Sequence, residues 1–479
     1  MLLNEDLWTD NINLSGWRAG GAGSRPVTEP ATGNQLGSLG LADADDVRRA
    51  ATAAADAQRE WAARPPSERA AVLRRAGDLW TEHRAEIEDW IVREAGSVPA
   101  KAAVETETAA GVCYESAGLP THPHGEVLTS EEPRWSFARR RPAGVVSVIA
   151  PFNFPLILSI RSVAPALALG NAVLLKPDPR TAVCGGVTLM RVFSEAGLPG
   201  GLLQLLPGGA DVGAAVVEAP EVRVISFTGA TATGRKIGET ASRLLKRVHL
   251  ELGGNNALVV LPGSGAEKAA GAGAFGSFNH QGQICMSTGR HLVHESLAED
   301  YLAGLAEKAR HLPVGDPATE QVALGPIIDS GQLDHVDEVV RAGASAGDRV
   351  VAGGQSDAPF YPPTVLACAG SDSPAWRQEI FGPVAPVLTY STLDDAARIV
   401  NDSEYGLSVG VLGNVGQAMR LADRLETGKV HINEQTVSDE PNVPFGGVKD
   451  SGNGSRFGGA AANIDAFTET QWVTVRPEI

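Results

Sequence analysis

Val145-Val146-Ser147-Val148-Ile149-Ala150 is a continuous apolar run of strand length that empties into Pro151-Phe152-Asn153-Phe154-Pro155, after which residues 155–168 read as a helix. The alternation then repeats. Ala172-Val173-Leu174-Leu175 is a strand, and Thr181 is expected to cap a helix that Gly197 stops. Residues 202–206 read as a strand, 211–218 as a helix, 222–227 as a strand, 232–245 as a helix and 257–260 as a strand again. Apolar strands alternating with helices imply right-handed crossovers and a parallel sheet covered on both faces. The expectation for this part is α/β, a doubly wound dinucleotide-binding fold.

Upstream, residues 1–40 are rich in Gly, Pro, Thr and Asn and read as short strands and turns. Asp43 or Asp45 can cap an Ala-rich helix that runs to Arg64 and ends at Pro65-Pro66, and Ser67-Glu68 opens another. There Val72, Leu73, Ala76, Leu79 and Trp80 recur at one-sided helical spacing, as do Ile87, Trp90 and Ile91 further on, which marks core-facing stripes. Residues 121–141 break the pattern with Pro, Gly, a Trp-Ser-Phe alternation and three arginines, and read as a two-stranded excursion from the main body. Downstream of Glu251 a second α/β series begins: helices at 267–278 and 297–311, and strands at 291–294 and around Val350, Val365, Val387, Val409 and His431. Gly253-Gly254 stands at the crossing into this second domain.

Bulk properties narrow the function. A chain of 479 residues exceeds one ordinary core. Its formal net charge of −17 argues against nucleic acid or an anionic membrane as the main partner, since either needs a basic face. Cys113, Cys184, Cys285 and Cys368 show no CxxC and no paired spacing, so neither a disulfide framework nor a metal site is expected. The N-terminus lacks the basic and apolar regions of a signal peptide, and no eighteen apolar residues run together. The expected location is the cytoplasm.

Several residues are candidates for chemistry. Cys285 in Gly282-Gln283-Ile284-Cys285-Met286-Ser287-Thr288 reads alone as a small buried hydrophobe, and as a nucleophile only if other groups serve it. Asn153, a neutral amide after a strand, suits an oxyanion hole, or simply an Asn turn. Glu251, hemmed by Leu250 and Leu252, is a carboxylate whose pKa burial would raise towards a general base's range; a solvated strand-end glutamate has the same local sequence. The turn Thr228-Gly229-Ala230-Thr231-Ala232-Thr233-Gly234 feeds a helix N-terminus and suits a pyrophosphate, but lacks GxGxxG spacing and reads equally as a packing turn. Lys176 can bond a ribose hydroxyl or lie on the surface.

Taken together, Phe152-Asn153-Phe154-Pro155, Lys176-Pro177, Phe227-Thr228-Gly229, Glu251-Leu252-Gly253-Gly254, Gly282-Gln283-Ile284-Cys285, Glu379-Ile380-Phe381-Gly382-Pro383 and Pro444-Phe445-Gly446-Gly447 resemble the ordered landmarks of the aldehyde dehydrogenase superfamily. The wording of residues 280–288, Asn433-Glu434-Gln435-Thr436-Val437 and residues 451–459 resembles its branch for aromatic aldehydes of the benzaldehyde, salicylaldehyde and vanillin type.

The resemblance implies roles. Cys285 would attack the aldehyde carbon, Asn153 and the Cys285 N–H would hold the oxyanion, and Glu251 would activate the water that hydrolyses the thioester. NAD or NADP would lie along the strand ends: Pro151 and Phe152, then Lys176, Pro177 and Asp178, with Gly209. Further contacts would come from Phe227, Thr228, Gly229, Ala230 and Gly234, from Leu252 and Gly253 at the crossing, and from Glu379 and Phe381 beyond it. The substrate tunnel would involve Phe154, Leu158, Arg161, Ile284, Met286 and Phe445, with Arg161 reaching a ring hydroxyl or else remaining ion-paired.

The implied architecture is aldehyde dehydrogenase-like, two doubly wound α/β domains plus a small β oligomerisation arm. Residues 1–120 and 142–250 would bind the dinucleotide, 251–459 would form the catalytic domain, and 121–141 with 460–479 the arm of a homodimer or tetramer.

Two departures qualify the resemblance. Pro179 and Arg180 stand where many NAD-specific relatives carry a ribose-binding glutamate, so NADP is expected to be accepted beside NAD. Arg456-Phe457-Gly458 stands where some relatives carry a second relay glutamate. The competing expectations are an aliphatic, succinic-semialdehyde-like or CoA-acylating relative, a non-catalytic scaffold with this fold, and a thiol hydrolase using Cys285 with His280.

Overall fold

The computed structural model describes residues 1–123 and 125–478; His124 and Ile479, both within the expected arm segments, lie outside the described residues. The run at 145 forms the strand Val145–Ile149, buried at every position, in a seven-stranded sheet. Its parallel part has the order Arg247–Glu251, Val222–Thr228, Val145–Ile149, Ala172–Lys176, Leu203–Leu205, and Asn11–Asn13 and Trp17–Ala19 extend it antiparallel. After Leu203–Leu205 the chain returns to the other side of Val145–Ile149. The crevice at that reversal, beyond the carboxyl ends of the strands, is where such sheets take ligands.

A second seven-stranded sheet has the order Arg349–Ala352, Thr364–Ala367, Val384–Tyr390, Thr288–His294, Asn256–Val260, Ser408–Leu412, Lys429–Ile432, parallel except for its first strand. Glu251 is the last residue of a strand of the first sheet, and Asn256 opens a strand of the second. A short link therefore sets the carboxyl edge of one sheet towards the other. Cys285 lies just before Thr288–His294 and so faces this junction.

A three-stranded antiparallel sheet of Gly125–Leu128, Trp135–Pro142 and Thr468–Val475 stands apart from both. Its carboxyl-terminal contribution starts later than residue 460, because Ala460–Phe467 is a helix whose Asn463, Ala466 and Phe467 are buried in the body.

Local sequence explains most boundaries. Asp43 caps Ala44–Ala63 in a reciprocal box with Asp46, and Pro66 opens Pro66–Glu82. The expectation for Thr181 is corrected. Its hydroxyl makes no hydrogen bond, and the amides of Val183 and Cys184 donate instead to the buried Glu94 carboxylate at 2.9 and 2.7 Å. A charged acceptor from another helix takes the place of the local cap, and a single π turn, Val183–Val187, precedes the helix Thr188–Glu195.

Candidate active site

One cavity of about 1060 Å³ runs along the carboxyl ends of the first sheet to Cys285. Of the residues implicated in dinucleotide binding, Pro151, Phe152, Lys176, Asp178, Gly209, Phe227, Thr228, Gly229, Ala230, Leu252, Gly253, Glu379 and Phe381 line it. Pro177 and Gly234 do not. A Cβ on Gly234 would lie 2.4 Å from the Leu252 side chain, so this glycine serves helix packing, not ligand approach.

The lining has unspent bonding capacity. The buried Lys176 ammonium has one protein acceptor, the Pro177 carbonyl at 3.3 Å, and burial lowers its pKa. Glu379 accepts from the Gly254 N–H at 2.9 Å through one oxygen only, and burial pushes its pKa up to about 7. A Cβ on Gly253 would lie 2.0 Å from the other Glu379 oxygen, so only glycine lets the carboxylate approach there. The helix Thr231–Arg243 opens into the cavity with no side-chain cap, which leaves its first amides free for an anion. Phe152 meets Phe381 edge-on at 5.8 Å. Arg180 lies 4.2 Å over the Phe152 ring and is held by Asp178 at 2.8 Å and Asp329 at 2.6 Å. These groups fit a dinucleotide: a cation and a carboxylate for ribose hydroxyls, and free amides for the pyrophosphate.

At the inner end, Cys285 lines the cavity and its backbone N–H donates to nothing among the described residues. Asn256 fixes the loop by donating to the carbonyls of Cys285 and Ser287, both at 2.8 Å. Burial pushes the thiol up to about 12; Lys429 and Arg161 oppose this, while Glu379 and Glu251 add to it. Asn153 is 2 % exposed, lines the same cavity, and its side-chain amide has no partner among the described residues. Two unused donors, one from the backbone and one from an amide, thus belong to the cavity wall where Cys285 lies.

Glu251 is fully enclosed and neither carboxylate oxygen is hydrogen-bonded. Desolvation raises its pKa to about 8, with Arg161, Arg456, the backbone N–H of Gly447 and Lys429 restraining the rise. An unpaired buried carboxylate near neutral pKa has the properties of a general base. His280 does not serve as one. It is buried against Phe154 at 5.5 Å, both ring nitrogens are unpaired, and burial holds its pKa well below the usual value.

Ile284, Met286, Leu407 and Phe445 form a small buried apolar cluster, with Phe154, Cys285 and Val437 packed against it. Leu158 lies instead on the dinucleotide cavity. Arg161 is not ion-paired. Its guanidinium lies 4.1 Å over Phe445 and 5.7 Å from Phe457, and the pair Arg161 and Phe445 lines a narrow cleft with Ile157, Asp439 and Glu440.

Some supporting groups gave no local signal in the sequence. Lys101 and Glu105, a buried ion pair on Pro99–Gly118, hold the Asn153 carbonyl and the amides of Leu156 and Ile157. Lys429, at the start of an edge strand, reaches Met286 and Phe445. Each acts on segments far away in sequence. Among the described residues no cluster of His, Cys, Asp and Glu is placed to hold a metal, and no helix is long and apolar enough to cross a membrane.

Comparison with known proteins agrees with this geometry. Residues 17–473 match the aldehyde dehydrogenase family. The chain is 61% identical over 478 residues to a vanillin dehydrogenase of Amycolatopsis sp., covering 100% of this chain and 98% of that one. It is 46% identical over 473 residues to a benzaldehyde dehydrogenase [NAD(+)] of Pseudomonas putida, covering 98% and 97%. The crystal structure of a salicylaldehyde dehydrogenase from Pseudomonas putida G7, complexed with salicylaldehyde, superposes with a TM-score of 0.94 at 34% identity over 98% of each chain.

Proposed function

The chain belongs to the aldehyde dehydrogenase family, and on that premise we propose that it oxidises an aromatic aldehyde to the carboxylic acid with NAD or NADP. The observation that carries this reading is the junction itself. An enclosed thiol, an unpaired base and two unused donors meet there, between a dinucleotide-shaped cavity and an apolar cluster able to clasp a flat ring. The aromatic assignment draws further support from the named relatives, one of which carries NAD(+) in its name.

In this reading Cys285 Sγ attacks the carbonyl carbon, forming an S–C bond as the thiol gives up its proton to Glu251. The Asn153 amide and the Cys285 N–H hold the oxyanion of the thiohemiacetal, aimed at charge that develops only during reaction. When bound, the nicotinamide supplies the hydride acceptor that leaves a thioester on Cys285. Glu251 passes that proton to solvent and, ionised again, takes one from the water that attacks the thioester carbon; the S–C bond breaks, this proton returns to Sγ and the acid departs. Enclosure keeps bulk water from the thioester until Glu251 directs one molecule to it. Lys176 and Glu379 would hold ribose hydroxyls of the dinucleotide, and Phe381 would bound its nicotinamide end.

Arg161, buried and without a carboxylate partner, meets an oxygen substituent on the ring. Asp178 and Asp329 are both engaged by Arg180, which supports acceptance of NADP as well as NAD. The exposed three-stranded arm makes the enzyme a homo-oligomer, and its charge and free thiols suit the cytoplasm.

The test is reduction of NAD and of NADP with benzaldehyde, vanillin, salicylaldehyde, hexanal and succinic semialdehyde, wild type beside Cys285→Ala. Aromatic turnover with both cofactors, abolished by the substitution, is expected. Turnover of hexanal or the semialdehyde alone would overturn the aromatic assignment, and inert NADP would overturn the cofactor claim.

A further inference from the structure

Lys429 opens the edge strand Lys429–Ile432, and its ammonium forms no ion pair among the described residues. Nζ is 2.7 Å from Met286 Sδ, 3.0 Å from the Ser438 carbonyl and 4.1 Å from the centre of the Phe445 ring. Arg161, from the helix Pro155–Ala168, lies 4.1 Å from that same ring centre. Neither cation has an ion pair among the described residues, whereas Arg180 in the neighbouring cavity has two. The charged groups acting on Lys429 are Asp439, Cys285, Arg161 and Glu251, and burial, the strongest influence, lowers its pKa to about 8.

A thioether, one carbonyl and an aromatic face are weak company for two half-desolvated cations. Asp439 and Glu440 line the cleft beside Arg161 and Phe445 but pair with neither cation, and the site adjoins the apolar cluster of Ile284, Met286, Leu407 and Phe445 beside the nucleophile. A flat ring held there with its aldehyde at Cys285 would carry its substituents towards Phe445. We propose that Lys429, together with Arg161, forms a cationic rim on Phe445 that binds an anionic oxygen carried on the substrate ring, a phenolate or a carboxylate. Lys429 is then a specificity-determining residue. The inference rests on the aromatic-aldehyde reading and deepens it. A carbonyl conjugated through the ring acidifies an ortho or para hydroxyl, so hydroxylated benzaldehydes supply such an anion readily.

Lys429 also bears on the Cys285 thiol, and a general effect on the nucleophile would scale all substrates alike. The readout is therefore a ratio: kcat/KM for 4-hydroxybenzaldehyde, and separately for 4-carboxybenzaldehyde, each divided by kcat/KM for benzaldehyde on the same variant. Lys429→Met is expected to lower whichever ratio exceeds one in the wild type by about tenfold or more, the scale of one lost charge-assisted hydrogen bond. Lys429→Arg is expected to restore it. Which ratio responds tells phenolate from carboxylate, and Lys429→Gln, which can still bond the Ser438 carbonyl, replaces the methionine variant if that fails to fold. Unchanged ratios in the charge-removing variant overturn the proposal.

A second measurement needs no turnover. Bound to Cys285→Ala at a pH below the phenol's own pKa, 4-hydroxybenzaldehyde is expected to show the long-wavelength phenolate band, lost on adding Lys429→Met. A band independent of Lys429 overturns the phenolate role. Wild-type enzyme inert towards every aromatic aldehyde would sink the broader reading instead, a result distinct from either outcome here.

Discussion

As the proposed base, Glu251 has to be buried to work at neutral pH and ionised to act, and desolvation raises its pKa to about 8. As a base it works in the ionised form, so kcat is expected to rise with pH through about 8 and level off above it. Glu251→Gln is expected to lower kcat by about 10²–10⁴. Glu251 serves both steps, so rapid mixing assigns the loss: a stoichiometric burst of reduced cofactor marks slowed thioester hydrolysis, and a slowed variant with no burst marks slowed attack by the thiol. Stability runs the other way. The folded pKa lies above the ordinary carboxyl value of 4.5, so the fold favours the protonated form. That contribution is complete below the unfolded pKa and is lost as pH rises through the folded one, at ~1.4 kcal/mol per unit of difference. Glu251→Gln, always neutral, is expected to melt a few degrees above wild type at pH 9 and level with it at pH 4. Parallel melting curves across that range would remove the claim.

The helix Pro155–Ala168 has no side-chain cap of its own, and Pro99–Gly118 supplies the acceptor. Glu105 accepts from Leu156 and Ile157 at 3.0 and 3.3 Å, while Lys101 donates to the Asn153 carbonyl at 2.8 Å. The pair thus fixes both the helix start and Asn153, the residue proposed to hold the oxyanion. Removing either charge alone leaves the other buried and uncompensated, at a cost of roughly 3–5 kcal/mol. Lys101→Met with Glu105→Leu is expected to recover much of that in urea titrations. It is not expected to recover kcat, because Asn153 stays unanchored; full recovery of kcat would make the pair purely structural. None of this was readable along the chain. The alternation from residue 145 was legible because buried parallel strands are short apolar runs with breaks at fixed places, and residues at their ends, Asn153, Lys176 and Glu251, were legible with them. Thr181 misled because a local hydroxyl is the commonest cap, and Glu94 displaces it from about ninety positions away. Lys101, Glu105 and Lys429 look like ordinary surface charges until the fold encloses them.

The arm leaves a group of large apolar side chains uncovered on its three strands. Val127 is 93 % exposed, Trp135 79 % and Trp472 62 %, all on its three strands, and both outer strands present unpaired backbone edges. Exposed aromatic and β-branched side chains beside open edges mark an association surface. Trp472 is already oriented, its indole N–H on Ser136 at 2.9 Å and its ring under Arg134 at 5.4 Å, so little order remains to be gained on docking. A second copy of the chain meets the need for a partner of matching shape, since antiparallel edges and isologous patches are self-complementary. Trp135→Glu with Val127→Glu is therefore expected to convert the oligomer to single chains in sedimentation velocity at micromolar concentration. The active site lies between two sheets of one chain, so the dissociated enzyme is expected to keep measurable turnover and lose heat resistance first. A wild type that sediments as a single chain, or a double variant that stays assembled, would show that the arm serves another purpose.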